Sequence, residues 1–406
     1  MVKSGGKLFI AFIFMAVKII NRTVWLLSLV SLFADMASEM LYPVVPVYLK
    51  EIGFSVFLIG VLEGVAEFTA GISKGYFGKQ SDVRGVRLPF VKWGYFLSSL
   101  SKPMMGFFTW PLWIFFSRTV DRLGKGLRTA PRDALLSQNA TPQTKGRVFA
   151  FHRSLDTMGA VIGPVLALVY LHFFPERYRP LFFYAFFPGL LSVLLLFFLR
   201  EKKTMTATVR GENFFSFLRY WNIAAPAYKR LVVGLLLFAL INSSDVFLLL
   251  KTKELTGSDT VTITAYIFYN LVYAAASYPL GALADAWGFK KVFVTGLVLF
   301  AVVYGFFGTA TVTLILFTAF FIYGIYAAAT ESIAKAWITN IAHGTATATA
   351  IGFYTSCQSL CSLLASALAG LLWSSISSNA AFLFSAITAA LLAIYFLFQP
   401  DTTTAA

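Results

Sequence analysis

Residues Arg118 to Asp133 read RTVDRLGKGLRTAPRD, five basic and two acidic side chains within sixteen residues. The chain around them is oily: of its 406 residues, 58% are hydrophobic, 17% aromatic and only 13% charged. The stretch is therefore a loop at a membrane surface, a phosphate-binding loop, or a charged helix inside a bilayer. A soluble domain carries about 25% charged residues, and a soluble chain of this length needs more polar surface than these residues supply. The composition places the chain among polytopic membrane proteins, with the lipid bilayer as its first partner. A net charge of +15 fits cationic loops on a membrane protein. No basic, aromatic-interleaved domain is present to hold a nucleic acid.

The phosphate-loop reading fails on context. LGKG (Leu123 to Gly126) has no GxxxxGK[ST] around it, and Leu127 stands where Ser or Thr would hold magnesium. Metal and disulfide chemistry are equally unsupported. Cys357 and Cys361 lie four apart in an apolar helical stretch, and His152, His172 and His343 form no zinc-ligand pair. No metal and no cofactor is expected.

Apolar runs long enough for a hydrocarbon core of about 30 Å fall at 24–49, 56–76, 88–108, 147–173, 180–200, 231–251, 260–284, 290–309, 311–338, 347–372 and 378–398. An internal repeat supplies the twelfth. GKQSDVRGVR (Gly78 to Arg87) and GALADAWGFK (Gly281 to Lys290) share Gly, Asp, Gly and a basic residue at a shift of 203, and KEIG at Lys50 meets KELT at Lys253. LFAD at Leu32 meets LFAL at Leu237, two residues further out. At the common shift the opening stretch falls on FIYGIYAAATESIAKA, Phe321 to Ala336, inside a run that spans. Residues 111–136 are therefore expected to be a membrane helix, giving six per half.

Loop charge sets the orientation. Lys18 and Arg22, the Gly78–Arg87 loop, Lys145 and Arg147, Lys290 and Lys291, and the seven basic residues of the 200–230 connector all fall on one side. Both termini are expected in the cytoplasm. The expected organisation is a cytoplasmic segment 1–22, a first bundle 23–200, a linker 201–229 with a short amphipathic helix near Phe214–Trp221, a second bundle 230–398 and a tail 399–406. The apolar run KLFIAFIFMAV (Lys7 to Val17) is too short to span. It reads as an interfacial helix or as sequence upstream of a natural start at Met15.

At 100° per residue, the seven charges of the opening stretch share an arc of roughly 140° over roughly 20 Å. A loop has no reason to sort its charges by helical phase. The first helix answers with Ser28, Ser31, Asp35, Ser38, Glu39 and Tyr42 on one face. The second half repeats the idea with Asn242 to Asp245 and with Glu331 and Lys335, an i, i+4 pair. Glu63, Glu67 and Lys74 share a face of the second helix, and Tyr266, Tyr269, Asn270, Tyr273 and Ser277 a face of the eighth. An intramembrane carboxylate is costly unless paired or wetted, so each is a functional candidate. Bundle-holding salt bridges explain Glu63, Glu67 and Lys74, and Arg153 with Asp133, equally well; packing explains the tyrosines better.

The paired G-x-x-x-D-x-x-G-x-[RK] loops resemble the signature loop of the major facilitator superfamily over residues 22 to 398. The second copy is the closer match; the first departs at Gln80 and Val86. Arg118 occupies the place of that family's fourth-helix arginine, with Asp121 and Arg122 where a Gln-Gly pair is usual. GAVIGP (Gly159 to Pro164) resembles the start of the fifth-helix motif of exchangers and exporters, without its trailing glycines. DMASEMLYPVVPVYL, DRLGKGLRTAPRDAL and ESIAKAW resemble a bacterial branch of efflux-type permeases. The resemblance implies two six-helix bundles around a cavity lined by helices 1, 4, 7 and 10, rocking between inward- and outward-open states. Gly78, Asp82, Gly85, Arg87, Gly281, Asp285, Gly288, Lys290, Gly159, Gly163 and Pro164 would serve gating.

The function expected is secondary active transport of a small, anionic solute across the bacterial cytoplasmic membrane, as proton-coupled export by a monomer, the proton gradient being the driving force. Arg118, Arg122, Lys125 and Arg128 would bind the solute by charge-assisted hydrogen bonds, with Tyr42, Asn242, Asp245, Tyr273, Glu331 and Lys335 as further binding candidates. Asp35 and Glu39 would form the proton-coupling pair. Arg132 and Asp133 would hold the bundle. The alternative is uptake of a metal chelate, siderophore or metabolite. A membrane-embedded transferase would need a metal or nucleophile constellation that the sequence lacks, so no enzyme is expected.

Overall fold

A computed structural model describes residues 20–201, 213–309, 316–342 and 346–399, and among these every regular element is helical. The expectations for residues 1–19, including Met15, for 202–212 of the linker, for His343 and for the tail beyond 399 lie outside the described residues.

Twelve rods form the bundle. In the first half they are α1 (Arg22–Leu41, resuming as Val44–Glu51), α2 (Val56–Arg84), α3 (Leu88–Phe107), α4 (Pro111–Gln138), α5 (Lys145–Phe173) and α6 (Arg179–Tyr184 and Phe186–Leu195). The second half comprises α7 (Pro226–Ala239, resuming as Val246–Thr256), α8 (Asp259–Trp287), α9 (Phe289–Thr309), α10 (Leu316–Ile341), α11 (Thr347–Ser375) and α12 (Ser378–Phe398). The opening stretch is helical throughout, and α4 continues past Pro131.

Local chemistry sets the ends. Asn21 and Ser55 cap α1 and α2 by accepting from Val24 N and Leu58 N. Gly85 ends α2 at φ 63°, a conformation that favours glycine. Pro43 interrupts α1, because proline removes a backbone donor. The expected continuous span at 231–251 is instead broken: residues 240–245 of α7 leave the helix without a proline to announce it.

Eight of these rods are long and apolar enough to cross a membrane on composition alone, and the chain is a multi-pass membrane protein. α2, α3, α4 and α7 are outside that set. The first three carry internal charges and α7 is broken, yet all pack within the bundle. A polar group buried in such a bundle needs a partner that replaces water. Asp121 shows how: it is buried on α4, bonded to Lys102 Nζ of α3 at 2.7 Å and to Ser98 Oγ at 2.8 Å. The linker returns as a 3-10 helix Phe214–Arg219 that runs into a short helix Tyr220–Ile223. There Lys79 Nζ donates to Ser216 O, and Trp221 stacks on Phe353.

The halves are sealed at the end carrying the two repeated loops. Gly146 of α5 and Gly281 of α8 bring two backbones together; a Cβ on either would lie 2.5 Å from the other's carbonyl oxygen. Asp285 accepts from Gly146 N at 2.7 Å and Arg147 N at 3.0 Å, and Arg147 Nε adds a bond at 3.1 Å. In the first copy, Asp82 accepts from Thr349 N at 2.7 Å, Thr349 Oγ1 at 2.8 Å and Arg87 Nη2 at 2.8 Å. Each carboxylate thus sits at the N-terminus of a helix from the opposite half, where unpaired N–H groups and the helix dipole favour negative charge.

Candidate functional site

Beyond the seal lies a cavity of about 340 Å³ between the halves, lined by α1, α2, α4 and α5 on one side and α7, α8, α10 and α11 on the other. Its charged lining comprises Lys74, Lys125, Arg128, Arg132, Arg153 and Lys335 against Asp35, Glu39, Asp156, Asp245 and Glu331. The Glu331 side chain is 46% exposed and Lys125 is exposed too, although both lie inside the bundle. The cavity is therefore reached by solvent. On the α1–α8 side it is narrowed by Tyr266, which donates to Glu39 Oε2 at 3.0 Å and stacks on Tyr42.

The floor is a charge network joining the halves. Lys335 Nζ of α10 donates to Asp133 Oδ2 of α4 at 2.8 Å, and Arg132 holds the other oxygen of Asp133 at 2.9 Å. Arg153 of α5 donates to Glu331 of α10, to Tyr273 of α8 and to Asp156, which also accepts from Ser31. Two expected pairings are corrected here. Arg153 and Asp133 do not meet, and Glu331 and Lys335 do not pair along their helix; each reaches across to the first half. Facing positions on α4 and α5 present opposite charge, so the longer-range partners prevail.

The outer part of α4 also differs from expectation. Arg118 grips Glu63 of α2 through two bonds at 2.9 and 2.8 Å, and Arg122 contacts Glu67 at 3.2 Å and Glu63 at 3.7 Å. Neither lines the cavity; nor do Tyr42 and Asn242. The inner residues Lys125, Arg128 and Arg132 line it instead. Helical phase places all these charges on a shared arc, but the α2 carboxylates occupy its outer section.

Among the described residues, three cations of the cavity have no carboxylate within salt-bridge distance. Lys125 has no ion pair. Lys74 donates only to Ser359 Oγ at 2.9 Å. Arg128 stacks on Tyr95 at 4.4 Å and keeps a buried Nη1 without a hydrogen-bond partner. On the acidic side, Asp35 has neither a hydrogen-bond nor an ion-pair partner among the described residues. Asp245, at the α7 break, accepts from Tyr269 and Tyr323, each at 2.5 Å. The tyrosine face of α8 therefore does more than pack: three of its hydroxyls engage cavity charges. Tyr323 of α10 and Lys102 of α3 are contributors that sequence reasoning missed. Tyr323 lies eight residues before Glu331, on its face, which was a usable signal; Lys102 had none.

The glycine candidates are all at close approaches or turns. Gly159 and Gly163 of α5 lie against the α1 backbone, where a Cβ at 163 would stand 2.6 Å from Met36 O. Pro164 lies within α5. Gly78 meets Ala348 O, Gly288 turns at φ 95°, and Lys290 Nζ donates to Leu397 O at 3.1 Å.

Comparisons with known proteins place this geometry. The family model described as Major Facilitator Superfamily matches residues 27–257 and 231–406. An uncharacterised MFS-type transporter of Methanocaldococcus jannaschii is 31% identical over 389 residues, 93% of this chain and 95% of that protein. The multidrug resistance protein MdtH of Escherichia coli O1:K1 / APEC is 28% identical over 126 residues, 31% of each chain. The crystal structure of the human organic anion transporter MFSD10 (TETRAN) superposes with a TM-score of 0.79 at 16% identity, covering 92% of this chain and 99% of that one.

Proposed function

The chain belongs to the major facilitator superfamily, and from that membership we propose that it is a proton-coupled exporter of a small anionic solute. The observation that carries the reading is the cationic wall. Lys125, Arg128 and Lys74 face one wetted cavity with no carboxylate within salt-bridge distance among the described residues, and an intramembrane cation left in this way is a site for an anion. Arg118 and Arg122, held by Glu63 and Glu67, shape the wall instead of touching the solute. Lys335 and Glu331 work as floor contacts that must part when the halves rock. Asp35 carries the proton: it is a carboxylate of α1 in the same cavity, with no hydrogen-bond or ion-pair partner among the described residues, and Glu39 lies one turn beyond. Export draws support from the partial likeness to a multidrug resistance protein and from the GAVIGP stretch. The basic loops lie in the cytoplasm of a cytoplasmic-membrane protein, so the sealed end is cytoplasmic and the cavity faces outward.

A thermal-shift screen of the purified protein across organic acids, metal chelates and cationic drugs tests the charge class, since a ligand that binds only the folded state raises its stability. Organic acids should stabilise the wild type, and Lys125→Gln should lose that response. Hits confined to cations, or an unchanged response in Lys125→Gln, would refute the anion site.

A further inference from the structure

The cavity's cations with no carboxylate at salt-bridge distance among the described residues, Lys74, Lys125 and Arg128, belong to α2 and α4 of the first half. In the second half, Glu331 is matched by Arg153 and Lys335 by Asp133. That leaves Asp245, which has no ion-pair partner among the described residues. Its two oxygens each take one tyrosine hydroxyl, and a carboxylate has capacity for about four such contacts. Around it the rings of Tyr266, Tyr269 and Tyr323 line or bound the same wall, with Tyr266 and Tyr269 5.5 Å apart and Tyr269 and Tyr323 5.3 Å apart. A carboxylate among aromatic rings recognises an organic ammonium, whose charge is met by the acid and whose alkyl groups are met by the rings. Asp245 lies at a break in α7, and an unwound helix segment at a cavity wall is where transporters place cation contacts.

We propose that the transported solute is a zwitterion, held by its anionic group at Lys125 and Arg128 and by an ammonium at Asp245 between Tyr266, Tyr269 and Tyr323. This rests on the anion site proposed above and adds a second recognition point across the cavity. A solute bearing both charges matches both walls at once, whereas a simple anion leaves Asp245 uncompensated. Simultaneous engagement also ties one half to the other, which a single-point ligand cannot do.

Thermal shifts with glycine betaine, γ-aminobutyrate, ε-aminohexanoate and phosphocholine, against butyrate, hexanoate, butylamine and hexylamine, test it on the full chain. At least one zwitterion should stabilise the wild type more than its matched anion and its matched amine. Asp245→Asn should weaken that zwitterion by about tenfold and leave the matched anion unchanged, with Tyr323→Phe as a milder variant that keeps carboxylate and ring. Should an Asp245 variant fail to fold, the wild-type ranking alone decides. Anions equal to zwitterions would overturn the ammonium site and leave the anion site standing. Amines that bind best, indifferent to Lys125→Gln, would sink both. No shift from any zwitterion overturns the proposal as well.

Discussion

Replacing Gly281 by alanine should open the sealed end. The new Cβ would stand 2.5 Å from the carbonyl oxygen of Gly146 and against the Cβ of Ala150. An ordinary carbon–oxygen contact needs about 3.3 Å, so the α5 and α8 backbones must separate by roughly 0.8 Å. The bonds from Gly146 N and Arg147 N to Asp285, now 2.7 and 3.0 Å, would stretch to the limit of hydrogen bonding. Bonds to a charged group contribute about 1.5–3 kcal/mol each; weakening two costs the sealed state about 2–4 kcal/mol. The opposite state keeps no such contact, so the ratio of the two should move by roughly 30- to 700-fold. The assay is a distance distribution between spin labels at positions 84 and 291, on opposite halves at the sealed end, with Cys357 and Cys361 replaced by serine. The wild type should show one short distance, and Gly281→Ala a second, longer one. A folded Gly281→Ala protein with the wild-type distribution would refute the idea that glycine contact holds this end shut.

Other outcomes follow from the pairings. Asp121→Asn leaves Lys102 buried without its carboxylate and should destabilise by about 3–5 kcal/mol, much of it recovered in Asp121→Asn/Lys102→Met, as thermal unfolding would show. Glu63→Gln should cost about 1–2 kcal/mol, because Arg118 loses a bidentate partner at a half-exposed site; a double cycle with Arg118→Gln should show coupling between them. Asp35→Asn should abolish pH-gradient-driven transport in proteoliposomes while solute exchange persists, and unchanged proton coupling would remove Asp35 from that role.

Much of the architecture could be read from the chain before any coordinates. The repeat between GKQSDVRGVR and GALADAWGFK moved RTVDRLGKGLRTAPRD into the membrane as α4, and that placement holds. Helical phase sets all seven charges of that stretch on one arc, of which Lys125, Arg128 and Arg132 line the cavity together with tyrosines of α8. What phase cannot supply is the neighbour each face meets. Arg118 and Arg122 pair with Glu63 and Glu67 of α2, which lie some fifty residues away in sequence, and nothing in the spacing aligns them. The same gap hid Lys102 behind Asp121 and sent Glu331 to Arg153. The break in α7 carries no proline; Asn242 to Asp245 are poor helix formers, and Ser244 Oγ takes the Val246 N–H there, a weaker signal than the proline that marks the break in α1.

The most direct test of the cationic cavity is transport itself. Inside-out vesicles carrying the wild type should accumulate a stabilising organic acid under a pH gradient, lose that accumulation with a protonophore, and fail to accumulate it when Lys125→Gln replaces the wild type. Accumulation of cations instead, or wild-type transport of the acid by a folded Lys125→Gln protein, would contradict the account.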